Sequence, residues 1–301
     1  MAAPTAPDRV AFAALWMSGA LFSFMAMAVG GRELAAELST FQILFFRSLV
    51  GLIVVTWLVA RTGWRQVTSP PLGLHVLRNL AHFGGQFGWF YGLAFIPLAQ
   101  VFAIEFTVPI WTTIWAALLL GERVTAPRLA AVGLGIAGLL IILRPGVQNV
   151  HLASLAVLAG AVMFALTHTL TRRLALSETP LAVLFYMTLI QVPLGLLPSL
   201  VNWTIPSPAL WPWLLVVGLG ALSAHYCMTR ALALAPATVV VPMDFLRLPL
   251  IAVVGAVAYG EPLEWTVLLG ALVMLTGIWI NVSAEQQRHR PTLTGPPRTE
   301  S

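Results

Sequence analysis

The chain has 301 residues, of which 59% are hydrophobic and 9% charged. Soluble domains carry roughly 25% charged residues, so a water-soluble fold is excluded, and the length suits about ten membrane spans of about 20 residues each. The formal charge of +5 rests on sixteen arginines and no lysine; these arginines mostly flank apolar runs, a membrane pattern rather than a nucleic-acid footprint, while the missing lysine excludes Schiff-base chemistry and the single Cys227 excludes a disulfide framework or CxxC pair.

Ten apolar segments follow one another: Val10–Val29, Phe41–Ala60, Leu74–Phe95, Ala99–Leu120, Pro127–Leu143, Leu152–Leu170, Leu181–Val201, Trp211–Leu234, Ala237–Tyr259 and Leu263–Ser283. Several are apolar throughout without strand-like alternation, and open sheets cannot sit in lipid, so all are read as helices. Residues 1–9 form a short cytoplasmic tail. Residues 285–301 are polar and proline-containing, the composition of a disordered tail.

The segments fall into two copies of five, at a constant offset of 139 residues. Ile96-Pro97 matches Ala235-Pro236, Glu105-Phe106 matches Asp244-Phe245, Gly121-Glu122 matches Gly260-Glu261, and Gly138 matches Gly277. The first repeat spans 10–145 and the second 149–284. Arg9, the first apolar run and Ala26-Met27-Ala28 together have the layout of a signal peptide. The first segment has a counterpart in the sixth, however, and is read as a retained span. Five is odd, so the second copy crosses the membrane in the opposite sense. The fold class is therefore an all-α membrane protein of ten transmembrane helices in two inverted five-helix repeats. That architecture underlies many alternating-access transporters.

Loop charge sets the orientation. One alternate set of loops and tails holds eleven arginines and the other holds only Arg32 and Arg144, so both termini are expected in the cytoplasm. The connectors Ile96-Pro97-Leu98 and Ala235-Pro236 imply tight helical hairpins. Gly133, Gly135, Gly138, Gly270 and Gly277 imply close helix packing in lipid rather than hinges.

An arginine or aspartate at the centre of a spanning helix costs about 2.5–3.5 kcal/mol on insertion scales, which singles out Arg47, Glu105, Asp244 and Arg247. Glu105 and Arg47 each lie about 9 Å below the outer surface at 1.5 Å per residue, so the two are expected to meet. Asp244 lies at the mirrored depth, with Arg247 three residues on. Two readings stand. In one, the carboxylates line a solute pathway and one carries a coupling proton; in the other, Glu105–Arg47 and Asp244–Arg247 are structural ion pairs. Arg78 and Arg230 are expected to snorkel to the cytoplasmic surface, with Arg78 also a candidate substrate contact. His82, His168 and His225 fall in the cytoplasmic half, without the spacing of a metal site. Gln86 and Gln191 fall near mid-span. Trp89, Trp111 and Trp115 are deep enough to stack on a flat substrate or simply to pack the core. Pro109, Pro242 and Pro249 are expected to kink segments four and nine.

The pattern F-F-R-S-L at Phe45–Leu49, the stretch from Tyr91 through Pro145 and the repeated Gly260-Glu261 resemble drug/metabolite transporters built from EamA repeats. The resemblance covers roughly residues 10–284. It implies ten spans and movement of small organic solutes by alternating access, with a bacterial inner membrane as the setting. Arg78, Tyr91 and Phe106 look like the subgroup that includes riboflavin and S-adenosylmethionine transporters; no ligand contact is carried over.

The pathway candidates are thus Arg47, Arg78, His82, Gln86, Tyr91, Glu105, Trp111, Gln191, His225, Asp244 and Arg247. A vitamin-like, nucleoside-like or other flat aromatic solute is preferred, and an amino-acid or drug exporter is the alternative. The competing classes are a membrane-embedded transferase and a non-transporting structural protein. The expected partners are a small-molecule substrate and the bilayer, without nucleic acid, metal or cofactor. Proton coupling is open, as is the choice of monomer or homodimer.

Overall fold

A computed structural model describes residues 6–67, 71–121, 125–144, 150–174, 176–234, 240, 243–244 and 246–288. Among the described residues there are eleven α-helices and no strand. They are α1 (Ala6–Leu34), α2 (Thr40–Thr62), α3 (Leu72–Phe95), α4 (Leu98–Glu105), α5 (Val108–Leu120), α6 (Ala126–Leu143), α7 (Leu152–Leu174), α8 (Pro180–Ser199), α9 (Trp211–Leu234), α10 (Arg247–Tyr259) and α11 (Trp265–Arg288). The hairpin at Ala235-Pro236, and Glu122, Pro242 and Phe245, lie outside the described residues.

Among the described residues, eight stretches are long and apolar enough to span a membrane: Ala11–Leu34, Thr40–Thr62, Leu98–Leu119, Ala126–Leu143, Leu152–Leu174, Pro180–Asn202, Pro208–Ala231 and Trp265–Ala284. Two expected spans are not among them. α3 has the length but carries His75, Arg78, Asn79, His82 and Gln86. α10 is apolar but has only 13 residues. Large apolar side chains such as Phe22, Leu118 and Val257 are exposed on the outside of the bundle, a surface suited to lipid.

Segment four is broken rather than continuous. α4 ends at Glu105 and α5 begins at Val108. Pro109 explains the position: its ring has no N–H and clashes with the carbonyl four residues back, at Glu105. Thr107 closes the gap by donating its hydroxyl to the Ile104 carbonyl at 2.8 Å. Each copy of the Gly-Glu motif ends a helix with the same device. Gly121 has φ +67° and Gly260 φ +64°, left-handed caps that a glycine adopts without a Cβ penalty.

The four most extensive helix contacts run between the repeats: α1 on α9, α3 on α7, α2 on α8 and α6 on α11. Exchanging the repeats turns the first pair into the second and returns each of the others to itself, the signature of a pseudo-twofold fold. Close approach depends on small residues. A Cβ on Gly138 would lie 2.4 Å from the Gly270 carbonyl oxygen, and one on Gly88 would lie 2.1 Å from that of Ala156. Gly133 departs from the packing expectation, since nothing lies within 4 Å of its would-be Cβ.

Candidate functional site

The first cluster joins α2, α3 and α8. On α3, positions 78, 82 and 86 recur every four residues and share a face. Arg47 donates through a terminal guanidinium nitrogen to Gln86 Oε1 at 2.9 Å. The His82 ring contacts Gln86 Nε2 at 2.6 Å and Gln191 Nε2 at 2.8 Å. The Gln86 amide also donates to Gln191 Oε1 at 3.3 Å. All four side chains are buried. A buried amide or imidazole is expensive unless hydrogen-bonded, and here three helices satisfy one another.

Arg78 corrects the snorkelling expectation. It is only 7% exposed, and donates from Nε to Thr171 Oγ1 at 3.1 Å and from a terminal nitrogen to Asn79 Oδ1 at 2.7 Å. The competing hydroxyl and amide hold it inside the bundle. Arg230, by contrast, is exposed, with its guanidinium 5.5 Å from the Trp16 ring centre. His168 and His225 are exposed; His225 lies edge-on to Phe24 with ring centres 5.6 Å apart. His168 lies on α7 three residues before Thr171, the hydroxyl that Arg78 contacts.

The second cluster holds the carboxylates. Glu105 Oε2 accepts from Trp89 Nε1 at 2.8 Å, and Glu105 Oε1 lies 3.7 Å from an Arg247 terminal nitrogen. The other terminal nitrogen of Arg247 lies 2.7 Å from Asp244 Oδ2. The Arg247 guanidinium sits 4.6 Å from the Phe24 ring centre, 5.5 Å from that of Phe102 and 5.4 Å from that of Phe106. The expected Glu105–Arg47 pair is therefore wrong: Arg47 serves Gln86. The mirrored-depth picture also changes, because both acids converge on one guanidinium. The physical reason is that α4 stops at Glu105 and α10 starts at Arg247, so two helix ends face each other. The helix dipoles disfavour both end charges, which the ion pairs offset. A planar guanidinium has donors enough for two carboxylates.

Trp89 enters the site although residue type alone leaves it a packing aromatic. Its signal is positional: Trp89 and Glu105 are each eight residues from Pro97, and a tight antiparallel hairpin brings equidistant residues to one level. Tyr91 is half-buried and nearly parallel to Phe87, with ring centres 6.1 Å apart, and touches neither cluster through a hydrogen bond among the described residues. Trp111 donates to Thr107 Oγ1 at 3.1 Å, bracing the break between α4 and α5.

A third cluster closes the arginine-poor side. Arg32 pairs with Glu261 at 3.0 Å and donates to the Ile96 carbonyl at 2.6 Å. Glu261 accepts from the Leu98 backbone N–H at 2.8 Å, satisfying an orphan donor of the first turn of α4. The Tyr259 hydroxyl donates to Glu33 at 2.7 Å, and Arg144 pairs with Glu264 at 2.5 Å. None of these residues is among the sequence candidates, although the repeated Gly-Glu and the two isolated arginines mark the place.

The model of the EamA-like transporter family matches residues 11–144 and 151–283. The chain is 25% identical to an S-adenosylmethionine uptake transporter of Rickettsia conorii, covering 91% of this chain and 94% of that one. It is 31% identical to a riboflavin transporter of Brucella anthropi over 72% of this chain and 78% of that one. A pseudopaline exporter of Pseudomonas aeruginosa is 27% identical, covering 88% and 91%. One solved structure aligns with a TM-score of 0.65 at 18% identity, covering 92% of this chain and 99% of its own, a likeness of fold. Two matched repeats on an all-helical, membrane-spanning bundle settle the assignment: the chain belongs to the EamA-like transporter family.

Proposed function

We propose that this protein is a secondary transporter that moves a small organic metabolite through the centre of the bundle by alternating access. The observation that carries this is the buried Arg47–Gln86–His82–Gln191 network, which spans three helices at membrane depth. A purely structural protein gains little from so many desolvated polar groups, whereas a solute site needs a few convergent ones. A vitamin-like or nucleoside-like solute is the preferred class, supported by the relatives named for riboflavin and S-adenosylmethionine. The relative named as an exporter supports the second reading, an exporter of amino-acid-like or drug-like solutes. The setting is a bacterial inner membrane with both termini cytoplasmic, and the activity is transport rather than catalysis.

Proton coupling belongs to the Glu105–Arg247–Asp244 triad. Two carboxylates share one guanidinium, so the triad carries one negative charge in excess, and a single proton neutralises it. Uptake into proteoliposomes with and without an inward-acid pH gradient tests this. The gradient is expected to accelerate the wild type several-fold and to leave Glu105→Gln or Asp244→Asn unaccelerated. Equal acceleration of wild type and both variants removes the triad from coupling. Transport of no solute from a flavin, nucleoside and amino-acid panel removes the transporter reading itself.

A further inference from the structure

Arg47 and Arg78 are both buried, and Arg78 shares a face of α3 with Gln86, the partner of Arg47, yet neither touches a carboxylate among the described residues. The carboxylates whose side chains are described are engaged elsewhere. Glu33 takes Tyr259, Glu37 takes Ser207, Glu178 lies near His75, and Glu261 and Glu264 take Arg32 and Arg144. Glu105 and Asp244 share Arg247. The partners that Arg47 and Arg78 do have are neutral: Gln86 for the first, Thr171 and Asn79 for the second. Arg47 Nε is buried and has no hydrogen-bond partner among the described residues. His82 contacts the same Gln86 amide that Arg47 does, so among the described residues the region holds cations and an imidazole without a compensating anion.

Buried charge in protein is normally paired, and a guanidinium presents a planar fork that fits carboxylate and phosphate oxygens. From this, resting on the transporter reading above, we infer that the solute supplies the missing partner: the Arg47–Arg78 region is an anion site that receives a carboxylate or phosphate group of the transported molecule. The amides of Gln86 and Gln191 then contact the neutral part of the solute beside that group, which narrows the substrate class from flat metabolites to anionic ones.

The test uses the purified full-length protein in detergent free of added lipid, with ligand binding followed by thermal shift and tryptophan quenching at constant ionic strength. Matched neutral and anionic probes are compared: nicotinamide with nicotinate for the carboxylate, adenosine with adenosine monophosphate and riboflavin with its monophosphate for the phosphate. In at least one pair the anion is expected to bind ten-fold or more tightly than its neutral twin. That preference is expected to vanish in Arg47→Gln and Arg78→Gln and to persist in Arg47→Lys, which keeps the charge, and in Arg61→Gln, an exposed control. The inference is overturned if no anion outbinds its twin in the wild type, a complete lack of binding included. It is also overturned if the preference survives in both glutamine variants, or if Arg47→Lys loses it as fully as Arg47→Gln while still folded. Transport of a neutral or cationic solute in proteoliposomes, with no anion preference, overturns this site and leaves the transporter reading standing. Anion preference without transport of any probe does the reverse.

Discussion

Arg247 is the residue on which the two halves of the molecule meet. It is 5% exposed, bridges Glu105 and Asp244, and is boxed by Phe24, Phe102 and Phe106. Removing one member of a buried ion pair strands its partners, typically at about 3–5 kcal/mol. Arg247→Ala is therefore expected to lose several degrees or more of melting temperature in detergent, and Arg247→Lys, with fewer fixed donors, to recover only part of it. Trp89→Phe removes one hydrogen bond to a charged group, about 1.5–3 kcal/mol, and is expected to fall short of the Arg247→Ala loss in the same measurement. Depth in the membrane was enough to pick out Arg47, Gln86 and Gln191 from the sequence, because polar groups at mid-span have few other uses. The partner of Glu105 was not legible there. Glu105 has Val108 where Asp244 has Arg247, and the repeat position of Trp89 is Met228, which cannot donate. Asp244 finds its partner three residues on in the same repeat, while Glu105 depends on an arginine that the other half supplies, which a single-helix count cannot reveal.

At the scale of the element, helix breaks and helix contacts follow different residues. The break after Glu105 places a carboxylate at a helix end in mid-membrane, and Pro109 causes it. Pro109→Ala restores an N–H and permits a continuous helix; transport is expected to fall while thermal stability holds or rises, a split visible by measuring both on one preparation. Glycines divide by what they face. Gly138→Leu drives a side chain into the α11 backbone, where a Cβ alone would come within 2.4 Å of the Gly270 oxygen. Overpacking typically costs about 1–3 kcal/mol, so a lower melting temperature and poor recovery in detergent are expected. Gly133→Leu faces open space and is expected to be close to neutral. The two glycines look alike in sequence, since composition marks a helix as close-packing without saying which side of it meets the neighbour.

For the whole molecule, the pairing pattern between repeats was foreshadowed by the constant offset of 139 residues, and the duplicated left-handed glycines at 121 and 260 give that offset a conformational meaning. The functional groups do not obey the same symmetry. Arg47 and Arg78 have Tyr186 and Val217 as repeat counterparts, and Gln86 has His225, so the polar cluster belongs mainly to one half. The Arg32–Glu261 lock on the arginine-poor side was hidden because each partner is ordinary at a helix end and the two lie far apart in the chain. The central claim is that solute passes through the Arg47–His82–Gln86–Gln191 network. The most direct measurement is counterflow of radiolabelled riboflavin, S-adenosylmethionine and the anionic probes named above into proteoliposomes, comparing wild type with Gln86→Leu. Accumulation of at least one solute by the wild type and a ten-fold or greater loss in Gln86→Leu are expected, with a melting temperature that shows the variant folded. Accumulation of none of them by the wild type, or undiminished accumulation by the folded variant, would contradict the central claim.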